Sequence, residues 1–161
     1  MDVIIRKLSD DDVDNVIEVA RDSWKWTYKD IYSDEFIENW ISEKYSKEKL
    51  LNEITKSQLN LDLVFLGSFH ESKLIGFIEL KISSSKAELL RLYLRPEYTH
   101  RGVGRILLSE AEELVKKRDV EECILYVHKK NYIATSFYKK NGFQVKDIYG
   151  DDLIMIKRYK V

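Results

Sequence analysis

The chain has 161 residues, 44% hydrophobic and 34% charged, with a net charge of −1 and a single cysteine, Cys123. That length suits one domain over residues 1–161 with its own core, and the charge balance exerts no global pull toward nucleic acid. No apolar run approaches the roughly 20 residues of a membrane span, and residues 1–6 are no signal peptide. A lone cysteine makes no internal disulfide, so a reducing cytoplasm is the expected compartment. The three histidines, His70, His100 and His128, share no ligand spacing with it, so no metal site is expected.

Residues 3–6 read as a short strand. Ser9 opens a helix with Asp12 as a capping partner, and Val13, Val16, Ile17, Ala20 and Trp24 recur along one buried face. Phe36, Ile37, Trp40 and Ile41 mark a second helix, and Leu50, Leu51 and Ile54 a third, short one. The period changes at 61–69, LDLVFLGSF. A turn at 70–72 leads into a second strand at 73–82, KLIGFIELKI, giving an antiparallel hairpin. SSSK turns again into a strand at 87–95, which Pro96 ends because it has no N–H for the ladder.

Gly102 and Gly104 follow, one residue apart, before a helical stripe of Ile106, Leu107, Ala111, Leu114 and Val115. CILYVH, 123–128, is a strand, and 133–140 a short helix stopped by Asn141-Gly142. Residues 143–159 form a hairpin around Gly150-Asp151. Strand, helix and strand across 88–128 require a parallel crossover, while the other pairings are antiparallel. The fold class is α+β: a mixed, mostly antiparallel sheet covered by helices.

Charge is uneven along the chain. Acidic clusters lie within 9–62, and basic residues gather at 91–105 and 129–140. Such a distribution suits an anionic cofactor and a cationic substrate, and equally suits solvated helix faces. The glycine turn is more specific. A strand end, two glycines and a helix start bring unpaired amides and a helix dipole toward one anion, with Arg101 and Arg105 adding full charges. A phosphate or pyrophosphate is the expected ligand. The P-loop is excluded because Arg-Ile-Leu follows Gly104, and the dinucleotide fingerprint because position 107 is Leu107.

The whole pattern is a strand, Pro96, Arg101-Gly102-Val103-Gly104 and a helix, then a strand and Asn131-x-x-Ala-x-x-Phe-Tyr138-x-Lys-x-Gly-Phe. It resembles the GNAT family of acetyl-CoA-dependent N-acetyltransferases from about residue 60 to the end, and the N-terminal elements agree in order. The resemblance implies a GNAT-like single domain with helices on both faces and a splayed pair of parallel strands. It places the pyrophosphate on Thr99, His100, Arg101, Gly102, Val103, Gly104 and Arg105. Thr99 departs from the long polar or cationic residue usual at that position, so a longer contact is lost. The pantetheine arm would pair with the backbone of Leu92, Tyr93 and Leu94 where the strands splay, and an N–H there, of Tyr93 or a neighbour, would face the oxyanion. Asn131 would bond the pantetheine, cap the following helix, or do both.

In the family the tyrosine of this motif, here Tyr138, protonates the departing thiolate or hydrogen-bonds to it. Glutamates on the central strands serve as base, which points to Glu88, with Glu79 on the preceding strand as the alternative. Strict alternation places Glu88 among Leu90, Leu92 and Leu94, where burial would raise its pKa. The acceptor would be a small-molecule primary amine chosen by the N-terminal half, where Trp26 and Tyr28, with Trp24, Tyr32 and Trp40, accompany carboxylates suited to ammonium groups. This aromatic helix link is similar to that of PaiA-type spermidine/spermine acetyltransferases, which suggests a polyamine. A protein N-terminus or lysine, or an acyl-CoA sensor without catalysis, are the other readings. The resemblance allows a homodimer in which a second subunit completes the acceptor site.

Overall fold

Apolar strands, of which β2 and β3 are buried on both faces, and tight turns build a seven-stranded sheet ordered β1-β2-β3-β4-β5-β7-β6. The computed structural model describes residues 1–59 and 62–159. Strand β1 (Ile4–Lys7) leads through a 3-10 turn at Asp10–Asp12 into α1 (Val13–Tyr28), followed by α2 (Asp34–Lys44) and α3 (Lys47–Leu59). The Asp12 carboxylate accepts from the Ser9 amide at 2.7 Å, the expected capping contact, although the first turn is 3-10 rather than α. The third helix runs for 13 residues, longer than its three apolar positions suggested.

The central strands are β2 (Leu63–His70), β3 (Lys73–Ser83) and β4 (Lys86–Leu94). The strand expected at 61–69 begins within the described residues at Leu63, and position 61 lies outside them. Helix α4 (Val103–Lys116), β5 (Glu122–His128), α5 (Tyr132–Lys140), β6 (Gln144–Tyr149) and β7 (Asp152–Arg158) complete the order. Every neighbouring pair is antiparallel except β4–β5. Helices cover both faces. Ile37, Ile41, Leu50 and Ile54 join α1 against Phe65 and Phe77 on one side, and Leu107, Leu108 and Ala111 of α4 pack on Ile78, Leu80 and Leu125 on the other. On α4, Leu108 and Glu112 rather than Ile106 complete the buried stripe, and Ile106 is 38% exposed. Among the described residues, no helix is long and apolar enough to cross a membrane.

Two features of β4 shape the site. Its parallel pairing with β5 covers only Lys86–Leu89 against Glu122–Leu125, yet β4 continues to Leu94 and β5 to His128. The strands therefore splay beyond Leu89. At the same point β4 is bulged: Glu79 of β3 faces Arg91 while Leu80 faces Leu89, so Leu90 is the extra residue. A bulge bends the strand that carries it and strengthens its twist, which turns β4 away from β5. It also reverses the alternation, because Ala87 and Leu89 pack on the α4 side and so do Leu92 and Leu94.

Candidate active site

The splay opens two cavities that meet. The first, about 870 Å³, runs from the glycine turn past Leu92, Tyr93 and Leu94 to α5. The second, about 500 Å³, lies between β4, β5, the N-terminal aromatics and the β6–β7 turn. Leu92, Tyr93, Asn131, Ala134 and Tyr138 line both, so they form the junction.

The glycine turn is built as its sequence required. Gly102 caps α4 with φ +82°, in the left-handed region that favours glycine, and His100 just before it has φ +62°. The carbonyl of Gly102 accepts the first helical bond, from the Ile106 amide at 3.1 Å, leaving the amides of Val103, Gly104 and Arg105 at the open helix end. Gly104 serves packing as well: a Cβ there would stand 3.2 Å from Cε1 of Phe137, so its absence lets α4 approach α5.

Thr99, His100, Gly102, Gly104 and Arg105 line the first cavity. Thr99 directs its hydroxyl to the Pro96 carbonyl at 2.8 Å, holding its own loop instead of reaching outward. Two residues of the motif are placed differently. Val103 is fully buried in the core, which leaves its backbone amide for a ligand, and the exposed Arg101 guanidinium sits 5.5 Å from the Tyr98 ring centre.

Tyr138 is 7% exposed, with Phe137 and Phe143 edge-on to its ring at 5.4 and 5.6 Å. Burial, reinforced by neighbouring Tyr93, pushes its phenol far above the ordinary value, so it remains protonated at neutral pH. No described protein group hydrogen-bonds its hydroxyl. Asn131 both caps and bridges. Its Oδ1 accepts from the Ala134 amide at 3.1 Å, and its Nδ2 donates to the Tyr28 hydroxyl at 3.4 Å.

The expected surroundings of Glu88 are not found. It lies between Lys81 and Ile124 in the fully paired part of β4, half-buried, on the face opposite Leu92 and Leu94. The bulge at Leu90 is the reason, because it reverses the alternation on which that expectation rested. The deeply buried carboxyl is Glu79, with no exposure. It accepts from Arg91 at 3.2 Å, and its Oε2 has no hydrogen-bond partner. Desolvation raises its pKa well above the carboxylate range, against the pull of Arg91. Arg91 also binds Glu53 at 2.7 Å, stacks on Tyr45 at 4.5 Å, and reaches the second cavity.

The aromatics of α1 divide between the cavities. Trp26, expected beside the acceptor, lines the first cavity with Ser23 and Thr27, whereas Trp24 and Tyr28 line the second with Tyr32 and Trp40. Helical spacing explains this, because positions 24 and 28 share one face and 23, 26 and 27 another. The carboxylates on the second cavity are Asp151 and Asp152 of the β6–β7 turn, not the acidic clusters of residues 9–62. Sequence reading saw that turn only as a hairpin link. The signal available was the Gly150-Asp151-Asp152 run on a strand pairing with β5.

Residues 17–143 match the model of the acetyltransferase (GNAT) family. The chain belongs to that family. This acetyltransferase is 63% identical over 160 residues, 99% of each chain, to a spermidine N(1)-acetyltransferase of Thermoplasma acidophilum. The crystal structure of the PaiA N-acetyltransferase from Thermoplasma acidophilum in complex with coenzyme A superposes with a TM-score of 0.97 at 64% identity. It covers 99% of this chain and 100% of that one. A putative ribosomal protein bS18-alanine N-acetyltransferase of Bacillus subtilis is 27% identical over 142 residues, 87% of this chain and 80% of its own.

Proposed function

We propose that this acetyltransferase transfers an acetyl group from acetyl-CoA directly to a primary amine of a polyamine, spermidine or spermine. One observation carries the reading. A cavity headed by a glycine turn and an open helix end meets, at Tyr138, a cavity that combines aromatic faces with carboxylates. The first suits a nucleotide diphosphate and an extended thioester arm, the second an ammonium-bearing chain. The names of the Thermoplasma acidophilum proteins agree with both halves.

In this reading the pyrophosphate lies against the amides of 102–105, with Arg105 beside them. The pantetheine arm takes the edge of β4 left open past Leu89, where strand-like pairing satisfies backbone groups that β5 no longer reaches. The amine attacks the thioester carbonyl, and an N–H of Tyr93 or a neighbour faces the resulting oxyanion. As the carbon–sulfur bond breaks, the Tyr138 hydroxyl donates to the thiolate. A free thiol titrates at about 8.5, and burial holds the Tyr138 phenol far above its ordinary value, so the hydroxyl stabilises the departing thiolate as a hydrogen-bond donor and keeps its proton. The nitrogen loses its proton to a base. Glu79, its pKa raised by desolvation, is the candidate in place of Glu88; it lines neither cavity and meets the second through Arg91, so the proton reaches it by way of water. Trp26 then flanks the cofactor and Tyr28 the acceptor.

The experiment is CoA release from acetyl-CoA with spermidine, spermine, lysine and peptide amines. Release with the polyamines supports the reading. Release confined to a peptide or lysine assigns a protein acceptor, and acetyl-CoA binding with no release leaves a sensor.

A further inference from the structure

We infer that Asp152 is the specificity-determining residue of the acceptor cavity, holding a second, distal ammonium group while the reacting amine lies at Tyr138. The inference rests on the polyamine reading and adds the residue that recognises the length and charge of the chain. Asp152 opens β7 opposite His128 of β5, so it belongs to the part of the second cavity that the first does not share.

The two adjacent aspartates differ in their partners. Asp151 is exposed and its carboxylate meets the Lys129 ammonium at 3.3 Å. Asp152 is half-buried, and its carboxylate makes no hydrogen bond or ion pair with any described side chain. A cation entering the cavity can therefore pair with this carboxylate without displacing a partner.

The surroundings also favour a cation. Trp24, Tyr28 and Tyr32 stand together, with ring centres 4.4 to 6.5 Å apart, and His128 lies edge-on to both tyrosines at about 6 Å. Burial first, and the charge of Asp152 among weaker causes, hold the Tyr28 phenol protonated; burial and then Asp151 and Asp152 do the same for Tyr32. No phenolate competes with the carboxylate, and the ring faces remain available for cation–π contact.

The test compares spermidine with n-propylamine, which has the reacting amine but no second charge, in the wild type, Asp152→Asn and Asp152→Glu. The KM for spermidine should rise roughly tenfold or more in Asp152→Asn, as expected for loss of a charge-assisted contact. The kcat/KM for propylamine should stay within about twofold, because that amine makes no such contact. An unchanged KM for acetyl-CoA shows that the variant is folded, and Asp152→Glu should recover most of the spermidine affinity. Added salt should raise the spermidine KM of the wild type more than that of Asp152→Asn. Equal losses for both amines, or no loss for either, would overturn the inference while leaving polyamine acetylation in place. A wild type that acetylates no polyamine would remove the functional reading and this inference together.

Discussion

The Asn131 side chain donates to the Tyr28 hydroxyl at 3.4 Å, tying the start of α5 to the end of α1 across the junction of the two cavities. The same side chain caps α5 through Ala134. Asn131→Ala should therefore cost about 1 kcal/mol for the lost cap, seen as a fall of roughly 3 °C in Tm for a chain of this size. Asn131→Asp keeps the capping oxygen but loses the donor. It should hold Tm near the wild-type value while raising the KM for acetyl-CoA or the amine. Thermal melts beside steady-state kinetics separate the two roles, and equal Tm losses would show that the Tyr28 bridge matters for stability too.

Gly102 has open space where a Cβ would stand but a φ of +82°. Gly102→Ala should then destabilise through backbone conformation alone, by about 1–2 kcal/mol. If the turn holds the diphosphate, KM for acetyl-CoA rises as well, with the KM for the amine changing less. Denaturant titration and kinetics on the one variant check both. A stable variant with unaltered kinetics would mean that the turn tolerates a side chain and grips nothing.

Glu79 gives a pH signature. Its folded pKa is raised above the unfolded value by desolvation. The folded state therefore holds a proton that the unfolded state releases, and stability falls as pH rises. The contribution is fully present below the ordinary carboxylate range and is lost as pH climbs through the raised value. Tm of the wild type should decline from mildly acidic to mildly alkaline pH more steeply than that of Glu79→Gln. In the same variant the acidic limb of kcat/KM should vanish if Glu79 is the base. Parallel Tm slopes would mean that Glu79 is charged in the folded protein throughout.

Cys123 is fully buried, and burial pushes its thiol up to about 12, with the Tyr159 hydroxyl pulling the other way. The thiolate is the reactive form, so a disulfide reagent at neutral pH should leave the folded protein unmodified and count one thiol after denaturation. Rapid reaction of the native protein would contradict the burial. It would also open the way to mixed disulfides with the cofactor thiol.

The order of elements was legible because each carried a local signal: the short apolar runs of β2 and β3 bounded by a turn, the stripe of α1, the glycine turn, and the Asn141-Gly142 stop. The glycine turn that heads the first cavity was legible too, since turn chemistry is written in contiguous residues. The surroundings of Glu88 were not. They depend on one extra residue, Leu90, whose displacement arises from the pairing of β4 with Glu79 and Leu80 of β3, and alternation within β4 cannot reveal it. The carboxylates that line the second cavity were missed for a related reason. Asp152 becomes a neighbour of Tyr28 only because β7 inserts between β5 and β6, an order that no run of adjacent residues encodes.

The most direct test of the account is the turnover of Tyr138→Phe with saturating acetyl-CoA and spermidine. The change removes one hydroxyl and leaves the ring packed between Phe137 and Phe143. The account predicts that kcat falls by on the order of a hundredfold or more, with the KM for acetyl-CoA nearly unchanged. A kcat equal to that of the wild type would contradict it, because the departing sulfur would then need nothing from the residue at which the two cavities meet.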